Sequence, residues 1–216
     1  STAHREFVGE CNWIAQTTAP FLAPYMSMLG KYNSNPVAAC EGVHKQILRY
    51  LKSQIGKCLT ATNEEGIRYY SDTDYAGLFE IDGDPRCRVG ALVTYNGMTV
   101  GWKSSWIRPG AWDDTEIKLS SGEAETSGAA EALKICKYVK NLADDMMVPV
   151  PERINLQVDA TAAIGFADNT QCKSKMKHVN MKWHWVQSLR EKEVVRLIKI
   201  AGTENPADAF TKILNG

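Results

Sequence analysis

Four acidic residues occupy positions where predicted strands end or predicted helices begin: Asp72, Glu125, Asp159 and Asp208. Taken singly, an aspartate at such a position is explained as a helix cap or as a favourable charge at a helix N-terminus. Brought together, the four carboxylates would repel one another and raise their own pKa values unless a cation lay between them. Oxygen ligands suit Mg²⁺, and two such ions about 4 Å apart can activate water and stabilise a leaving oxygen in phosphodiester cleavage. The residue types therefore indicate a metal-dependent nuclease site.

The long helix predicted over residues 121–146 carries three glutamates near its start. At about 100° per residue, Glu125 falls in the middle of the apolar stripe of this helix, where a charge is costly unless it is compensated. Glu123 falls on the opposite side and completes a capping box at the helix start. Glu131 is predicted to face solvent beside Lys134. Glu125 is therefore the glutamate assigned to the site.

The hydrophobic pattern of the chain changes after residue 66. Residues 1–60 show helical periodicity interrupted by turn signals, and the polar stretch TNEEG marks the boundary. Beyond it, the pattern predicts a strand at GIRYYSDTDYAG, a hairpin turning at Asn96-Gly97 and then the long helix. A strand at INLQVDA, helices at AAIGFADN and HVNMKWHWVQSLREKE, a strand at VVRLIKIAG and a helix at ADAFTKIL follow. This order predicts an α/β (α+β) domain with a five-stranded mixed sheet flanked by helices.

The net charge argues neither for nor against a nucleic-acid partner, because Lys and Arg together number 25 and so do Asp and Glu. A nucleic-acid-binding surface would have to come from a local concentration of basic residues. No apolar run approaches 18 residues and the start shows no signal-peptide pattern, so no membrane span is expected. The six cysteines include no CxxC pair. They are interpreted as buried free thiols, which predicts a reducing compartment.

Basic residues near predicted strand ends and in the KSKMKH loop are candidates for phosphate contacts: Lys103, Arg108, Lys173, Lys175, Lys177 and Lys182. Such contacts would be independent of base sequence and weakened by salt, and the alternative is a solvated loop. Trp102 and Trp106 can stack on bases, but packing is the favoured interpretation. His178 and His184 are weak candidates for proton transfer. For His184, which lies between two tryptophans, packing is again favoured.

Six motifs follow one another in the order found in a known family: SDTDYAG (71–77), WKSS (102–105), LSSGEAE (119–125), VDATAAI (158–164), KSKMKHVNMKWHWV (173–186) and NPADAFTK (205–212). With them, the chain resembles the ribonuclease H domain of copia-type LTR retrotransposon polyproteins. REFVGECNWIA and QILRYLKS resemble the connection region at the end of the reverse transcriptase. The resemblance divides the chain into a helical connection segment at 1–62 and a ribonuclease H domain at 66–214.

The resemblance implies a ribonuclease H-like fold that hydrolyses the RNA strand of RNA/DNA hybrids during reverse transcription. Asp72, Glu125, Asp159 and Asp208 match the four acids of the family that hold two Mg²⁺ ions, with Mn²⁺ as an alternative. Asp74 is the less favoured acid of the first strand. The loop AGTENPAD lacks the histidine of many ribonucleases H. The implied partners are an RNA/DNA hybrid and the polymerase domain of the same polyprotein, in the cytoplasm or a virus-like particle and without a membrane.

Two other functions are compatible with this fold. The domain could be a catalytically silent module that only grips nucleic acid within a reverse transcriptase, but the presence of all four acids argues against it. The integrase relative of the fold needs three acids and usually a zinc module, for which the sequence offers no Cys/His cluster. The sequence also has no YxDD-type motif, so DNA synthesis is not expected from this chain.

Overall fold

The computed structural model describes residues 2–74, 86–107, 121–159, 161–168 and 180–212. The chain divides into two compact units, Ser1–Thr60 and Ala61–Gly216. Each unit has a hydrophobic core of its own. Among the helices that the structure describes, none is long and apolar enough to cross a membrane.

The first unit is helical, as its sequence periodicity predicts. Helix α1 spans Thr2–Thr17, α2 spans Ala23–Leu29 and α3 spans Ala39–Ser53, with 3-10 turns at Pro20–Leu22 and Gly30–Tyr32. Proline suits the first positions of a helix because its missing N–H would have no partner there. The helices enclose a core formed by Val8, Cys11, Ala15, Leu22, Met26, Leu29, Cys40 and Ile47.

The second unit contains the mixed five-stranded sheet that the sequence predicts. Its strands are β1 (Ile67–Asp74), β2 (Arg88–Tyr95), β3 (Met98–Trp106), β4 (Ile154–Val158) and β5 (Val195–Lys199), in the order β3-β2-β1-β4-β5. β2 pairs antiparallel with β1 and β3, whereas β1 with β4 and β4 with β5 are parallel. β1 is therefore central, and its C-terminal end lies beside that of β4.

The β2–β3 hairpin turns at the predicted dipeptide. Asn96 and Gly97 both have positive φ, at 49° and 72°. A two-residue turn with left-handed backbone at both positions matches the right-handed twist of the flanking strands, and Asn-Gly is the pair that adopts it most readily. Local turn chemistry therefore predicted this hairpin correctly.

Helix α4 (Ser121–Asp145) packs on β1, β2 and β3, and helices α5 (Thr161–Asp168) and α6 (Asn180–Glu191) pack against it. The buried face of α4 begins with small residues, and a Cβ added to Gly128 would lie only 1.9 Å from Thr73 Oγ1 of β1. A larger residue would push the helix away from the strand. The small side chains that follow Glu125 therefore let the helix approach β1 closely.

The α-helix predicted for ADAFTKIL is wrong, because Pro206–Phe210 forms a 3-10 helix and the last two residues of that prediction lie outside the described residues. Asn205 caps the 3-10 helix by accepting a hydrogen bond from the Ala207 N–H, and its amide donates to the Ser71 carbonyl of β1. These bonds tie the segment to the sheet. The segment crosses β2 so closely that a Cβ on Gly90 would lie 2.6 Å from the Ala207 carbonyl oxygen.

The described cysteines are free thiols, and four of the five are buried as expected: Cys11, Cys40, Cys87 and Cys136. Cys58 is exposed, which contradicts that expectation. It lies in the polar segment after α3, where the chain leaves the helical core. Cys172 lies outside the described residues.

Candidate active site

Asp72 lies in β1 and is buried, with 7% of its surface exposed. The Thr211 hydroxyl donates a hydrogen bond to its Oδ2. Burial and the negative charges of Asp159 and Asp208 raise the pKa of Asp72 to about 6, against the hydrogen bond from Thr211 and the charge of Lys212. Asp159 and Asp208 therefore both lie close enough to Asp72 to act on it.

Glu125 lies in the second turn of α4 and is half-buried. Burial and the charges of Asp159 and Asp72 raise the pKa of Glu125, while the Lys199 ammonium opposes the increase. Its side chain is thus on the side of the helix that faces the other acids, where the helical wheel places it. The side chain of Glu123 lies outside the described residues, so its capping role stays a prediction.

Asp159 and Asp208 are partly exposed, and a lysine lies beside each of them. Lys199 Nζ donates a hydrogen bond to the backbone carbonyl of Asp159. Lys212 Nζ lies 2.6 Å from Asp208 Oδ1. The hydrogen bond with Asp208, together with the charges of nearby carboxylates, raises the pKa of Lys212. Two ammonium groups therefore partly balance the four carboxylates.

Two uncharged residues position the acids, and sequence analysis did not select either of them. Asn205 is 4% exposed, and its amide lies 2.9 Å from the Ser71 carbonyl, so it fastens the 3-10 helix that carries Asp208 to β1. Thr211, which is 1% exposed, donates its hydroxyl hydrogen to Asp72. A sequence signal existed for both, since they belong to NPADAFTK and Asn before Pro is a favoured helix start.

The four acids offer only oxygen donors, which suits a hard divalent cation. The mutual repulsion that helps to raise the pKa of Asp72 is what such a cation would relieve. Within the described residues, no group of three or more His, Cys, Asp or Glu is arranged so that it could hold a metal ion. Lys212 holds Asp208 by an ion pair. The donor chemistry fits Mg²⁺, and joint ligation by the four acids stays a prediction.

The basic residues predicted to contact phosphate fall into two groups. The first lies outside the described residues: Arg108, Lys173, Lys175 and Lys177. In the second group, Lys103 of β3 and Lys182 of α6 reach Glu131 at 3.4 and 3.2 Å. The prediction that Glu131 faces solvent is wrong, since its side chain is 14% exposed, although the predicted partner Lys134 does pair with it at 2.8 Å. A wheel drawn for one helix cannot show that lysines of neighbouring elements fold over that position.

Trp102 and Trp106 are partly buried in β3, in agreement with the packing interpretation. The guanidinium groups of Arg86 and Arg88 lie 5.0 and 4.4 Å from the centre of the Trp106 ring. At such distances a cation is attracted to the face of an indole ring. The Trp106 ring is therefore engaged by arginines of the same unit.

His184 is exposed, so the interpretation that it packs is wrong. Among the α6 side chains that the structure describes, Val186 and Leu189 are buried, at 1% and 7% exposure. At about 100° per residue, a position two residues before Val186 lies on the far side of the helix. His178 lies outside the described residues.

Homologues over nearly the whole length of the chain are retrovirus-related Pol polyproteins of plant transposons. It is 28% identical over 208 residues to "Retrovirus-related Pol polyprotein from transposon TNT 1-94" of Nicotiana tabacum, which covers 96% of this chain and 15% of that protein. It is also 32% identical over 127 residues to "Secreted RxLR effector protein 161" of Plasmopara viticola, covering 58% of this chain and 82% of that protein. No family model matches the sequence.

Among solved structures, the chain is similar to LC11-RNase H1, crystallised in complex with an RNA/DNA hybrid. The TM-score is 0.44 at 16% sequence identity, and the superposition covers 67% of this chain and 92% of that one. The fold of the second unit is described by its own strand order and register, and it does not depend on this similarity. The chain spans about one-seventh of the polyprotein it matches, at 15% of that length.

Proposed function

We propose that the second unit is a ribonuclease H, an endonuclease that hydrolyses the RNA strand of RNA/DNA hybrids during reverse transcription. The observation that supports the proposal most is the electrostatic influence among acids of different elements: the charges of Asp159 and Asp208 act on the buried Asp72, and those of Asp159 and Asp72 act on Glu125. These four acids are the proposed catalytic and metal-holding residues. The mixed sheet with central β1 provides their setting, and the homology to Pol polyproteins supplies the context.

Mg²⁺ held by these acids would supply the positive charge that activates water and stabilises the leaving oxygen, and Mn²⁺ is the expected alternative. Hydrogen bonds within the chain position the carboxylates that would bind the metal. Thr211 fixes the Asp72 carboxylate through a hydrogen bond to Oδ2. Asn205 holds the 3-10 helix of Asp208 against β1. Rigid placement of donors by neighbouring hydrogen bonds is what a metal site requires to keep its ligands oriented.

The proposed substrate is an RNA/DNA hybrid, bound through phosphate contacts that do not read the base sequence. Selection of the RNA strand would depend on 2′-hydroxyl groups and helix shape. The proposed phosphate-contacting residues are Lys103, Arg108, Lys173, Lys175, Lys177 and Lys182. The first unit is proposed to be the end of a reverse transcriptase and to join the polymerase domain of the same polyprotein. The proposed setting is the cytoplasm or a virus-like particle.

The alternative is a catalytically silent module that only grips nucleic acid. The acids disfavour it for an electrostatic reason, because carboxylates placed at a phosphate-binding surface repel the substrate. Asp72 is also buried, and burial together with the nearby acids raises its pKa to about 6, which means that its charged form is costly in the folded protein. A module that only binds phosphate gains nothing from that arrangement, whereas a cation-dependent nuclease needs it.

The test is cleavage of a labelled hybrid in Mg²⁺ by the full chain and two variants. Asp159→Asn should abolish cleavage while the circular dichroism spectrum and the unfolding midpoint stay near those of the unmodified chain. Asp144→Asn is the matched control, because it removes an exposed acid of α4 that pairs with Lys140. It should cleave at the unmodified rate. Cleavage by Asp159→Asn at that rate would refute the site, and a chain that binds hybrid without cleaving it would support the silent module.

A further inference from the structure

Three lysines from three elements converge on one carboxylate in the second unit. Lys134 of α4 lies 2.8 Å from Glu131 Oε1 and 2.9 Å from Oε2. Lys103 of β3 reaches Oε2 at 3.4 Å, and Lys182 of α6 reaches Oε1 at 3.2 Å. Glu131 therefore connects the edge of the sheet, the long helix and the first turn of α6.

The charges of this cluster do not balance. One carboxylate is matched by one ammonium group, so the three lysines leave two positive charges in excess. The Glu131 side chain is 14% exposed, whereas the lysine side chains are 35%, 57% and 35% exposed. The Glu131 carboxylate is thus less exposed than the three lysine side chains that surround it. Since like charges held together repel one another, an external anion would stabilise the arrangement.

The cluster lies on the same helix as a proposed catalytic acid. Glu131 follows Glu125 by six residues, which corresponds to roughly 9 Å along the axis of α4. Glu131 also lies about 120° around α4 from Glu125, and because a double helix makes one turn in about 34 Å, a duplex bound at the acids is long enough to reach the cluster. Repeated phosphates are the anions that such a ligand presents, and ammonium groups bind them without regard to base sequence.

We propose that Glu131 is a positioning residue that gathers Lys103, Lys134 and Lys182 into one phosphate-binding surface for the RNA/DNA hybrid. The inference rests on the proposed function, and it adds a role for an acid that touches no substrate. Long lysine side chains lose rotamer freedom when they bind a phosphate, and Glu131 orders them before the substrate arrives.

Glu131→Gln is expected to change hybrid binding in the direction opposite to the usual effect of removing a negative charge. Removal of a negative charge from a nucleic-acid-binding protein ordinarily strengthens binding, because the net attraction to phosphate increases. Glu131→Gln should instead weaken binding of the hybrid, by at least twofold, since its lysines are no longer held together. Asp144→Asn removes one acid from the same helix, away from this cluster, and should not weaken binding.

Binding is measured in Mg²⁺ with Asp159→Asn present in every protein, so that hybrid is not consumed, and over a range of salt concentrations. Lys103→Gln and Lys182→Gln should each lower the affinity about fivefold at about 0.15 M salt and reduce the slope of log K against log salt by about 0.9. Glu131→Gln should have no further effect once Lys103, Lys134 and Lys182 are all replaced by glutamine, because residues that act through one another are not additive. Lys140→Gln is the control for loss of a lysine and should leave the slope unchanged.

Binding by Glu131→Gln that is as tight as, or tighter than, that of its parent would overturn the proposal. Lysine substitutions that leave the salt slope unchanged would overturn it as well, and they decide the matter if Glu131→Gln does not fold. Failure of the proposed function looks different, since the unmodified chain would then fail to cleave hybrid in Mg²⁺. Cleavage by the unmodified chain together with unweakened binding by Glu131→Gln refutes only the positioning role.

Discussion

Replacement of Glu131 by glutamine removes one negative charge from beneath three lysines while the side chain keeps nearly the same volume. The change therefore tests electrostatics with little effect on packing. We expect the free energy of unfolding to fall at neutral pH, because Lys103, Lys134 and Lys182 then repel one another around a neutral amide. The same measurement supplies the stability control for the binding experiment.

The magnitude follows from the titration of the carboxylate. Although burial by itself acts to raise it, the hydrogen bond from Lys134 and the charges of Lys182 and Lys103 hold the pKa of Glu131 at about 2, below its ordinary value of 4.5. At about 1.4 kcal/mol per pKa unit, this difference corresponds to about 3 kcal/mol in favour of the folded protein. The lysines are at least 35% exposed, and screening by solvent reduces the expected loss to about 1–2 kcal/mol.

The assay is urea unfolding of the unmodified chain and of Glu131→Gln between pH 7 and pH 3. The pKa of Glu131 is lower in the folded than in the unfolded protein, so its stabilisation is complete above about pH 4.5 and is lost as the pH falls towards 2. The difference between the two proteins should therefore be largest at pH 7 and shrink below pH 4.5. Asp144→Asn, which loses an exposed i,i+4 pair, should differ from the unmodified chain by only about 0.5 kcal/mol.

Two outcomes would refute this reasoning. Equal stability of Glu131→Gln and the unmodified chain at pH 7 would show that the three ion pairs contribute nothing. A difference at pH 7 that persists unchanged at pH 3 would show that packing, rather than charge, is responsible. In either case the lowered pKa of Glu131 would not describe the folded protein.

Further predictions concern packing and the cap. Gly128→Ala should lower the free energy of unfolding by about 1–3 kcal/mol, because its Cβ would meet Thr73 Oγ1 at 1.9 Å. Gly165→Ala is the control, since nothing lies within 4 Å of its Cβ, and it should stabilise the protein by about 0.5–1 kcal/mol. Asn205→Ala should cost about 1–3 kcal/mol and slow hybrid cleavage by loosening the 3-10 helix of Asp208, whereas Asn205→Asp, which keeps the cap acceptor, should recover part of both. Unchanged unfolding midpoints would contradict each of these.

Sequence reasoning succeeded where the signal lies within one element. The wheel places Glu125 among the buried positions of α4, and the charges of Asp72 and Asp159 act on it in the structure. Asn96-Gly97 predicts the hairpin because its backbone conformation is a local property of the two residues. Periodicity and turn chemistry are recorded in short stretches of sequence, so they can be recognised without the rest of the chain.

Sequence reasoning failed where distant elements decide the outcome. The last helical segment is a 3-10 helix because Asn205 bonds to Ser71, 134 residues earlier, and Thr211 bonds to Asp72, 139 residues earlier. A wheel of α4 predicts Glu131 in solvent because it contains neither β3 nor α6. Long-range contacts of this kind depend on how elements pack, and the pattern within a single element does not record them.

The most direct test of the central claim is the Mg²⁺-dependent cleavage of an RNA/DNA hybrid in which the RNA and DNA strands carry different labels. The full chain is expected to cut the RNA strand in Mg²⁺, excess chelator is expected to stop the reaction, and the DNA strand is expected to stay intact. A DNA duplex of the same sequence is not expected to be cut. RNA cleavage that continues in excess chelator, or no cleavage of hybrid in Mg²⁺ or Mn²⁺ by a folded chain, would contradict the account.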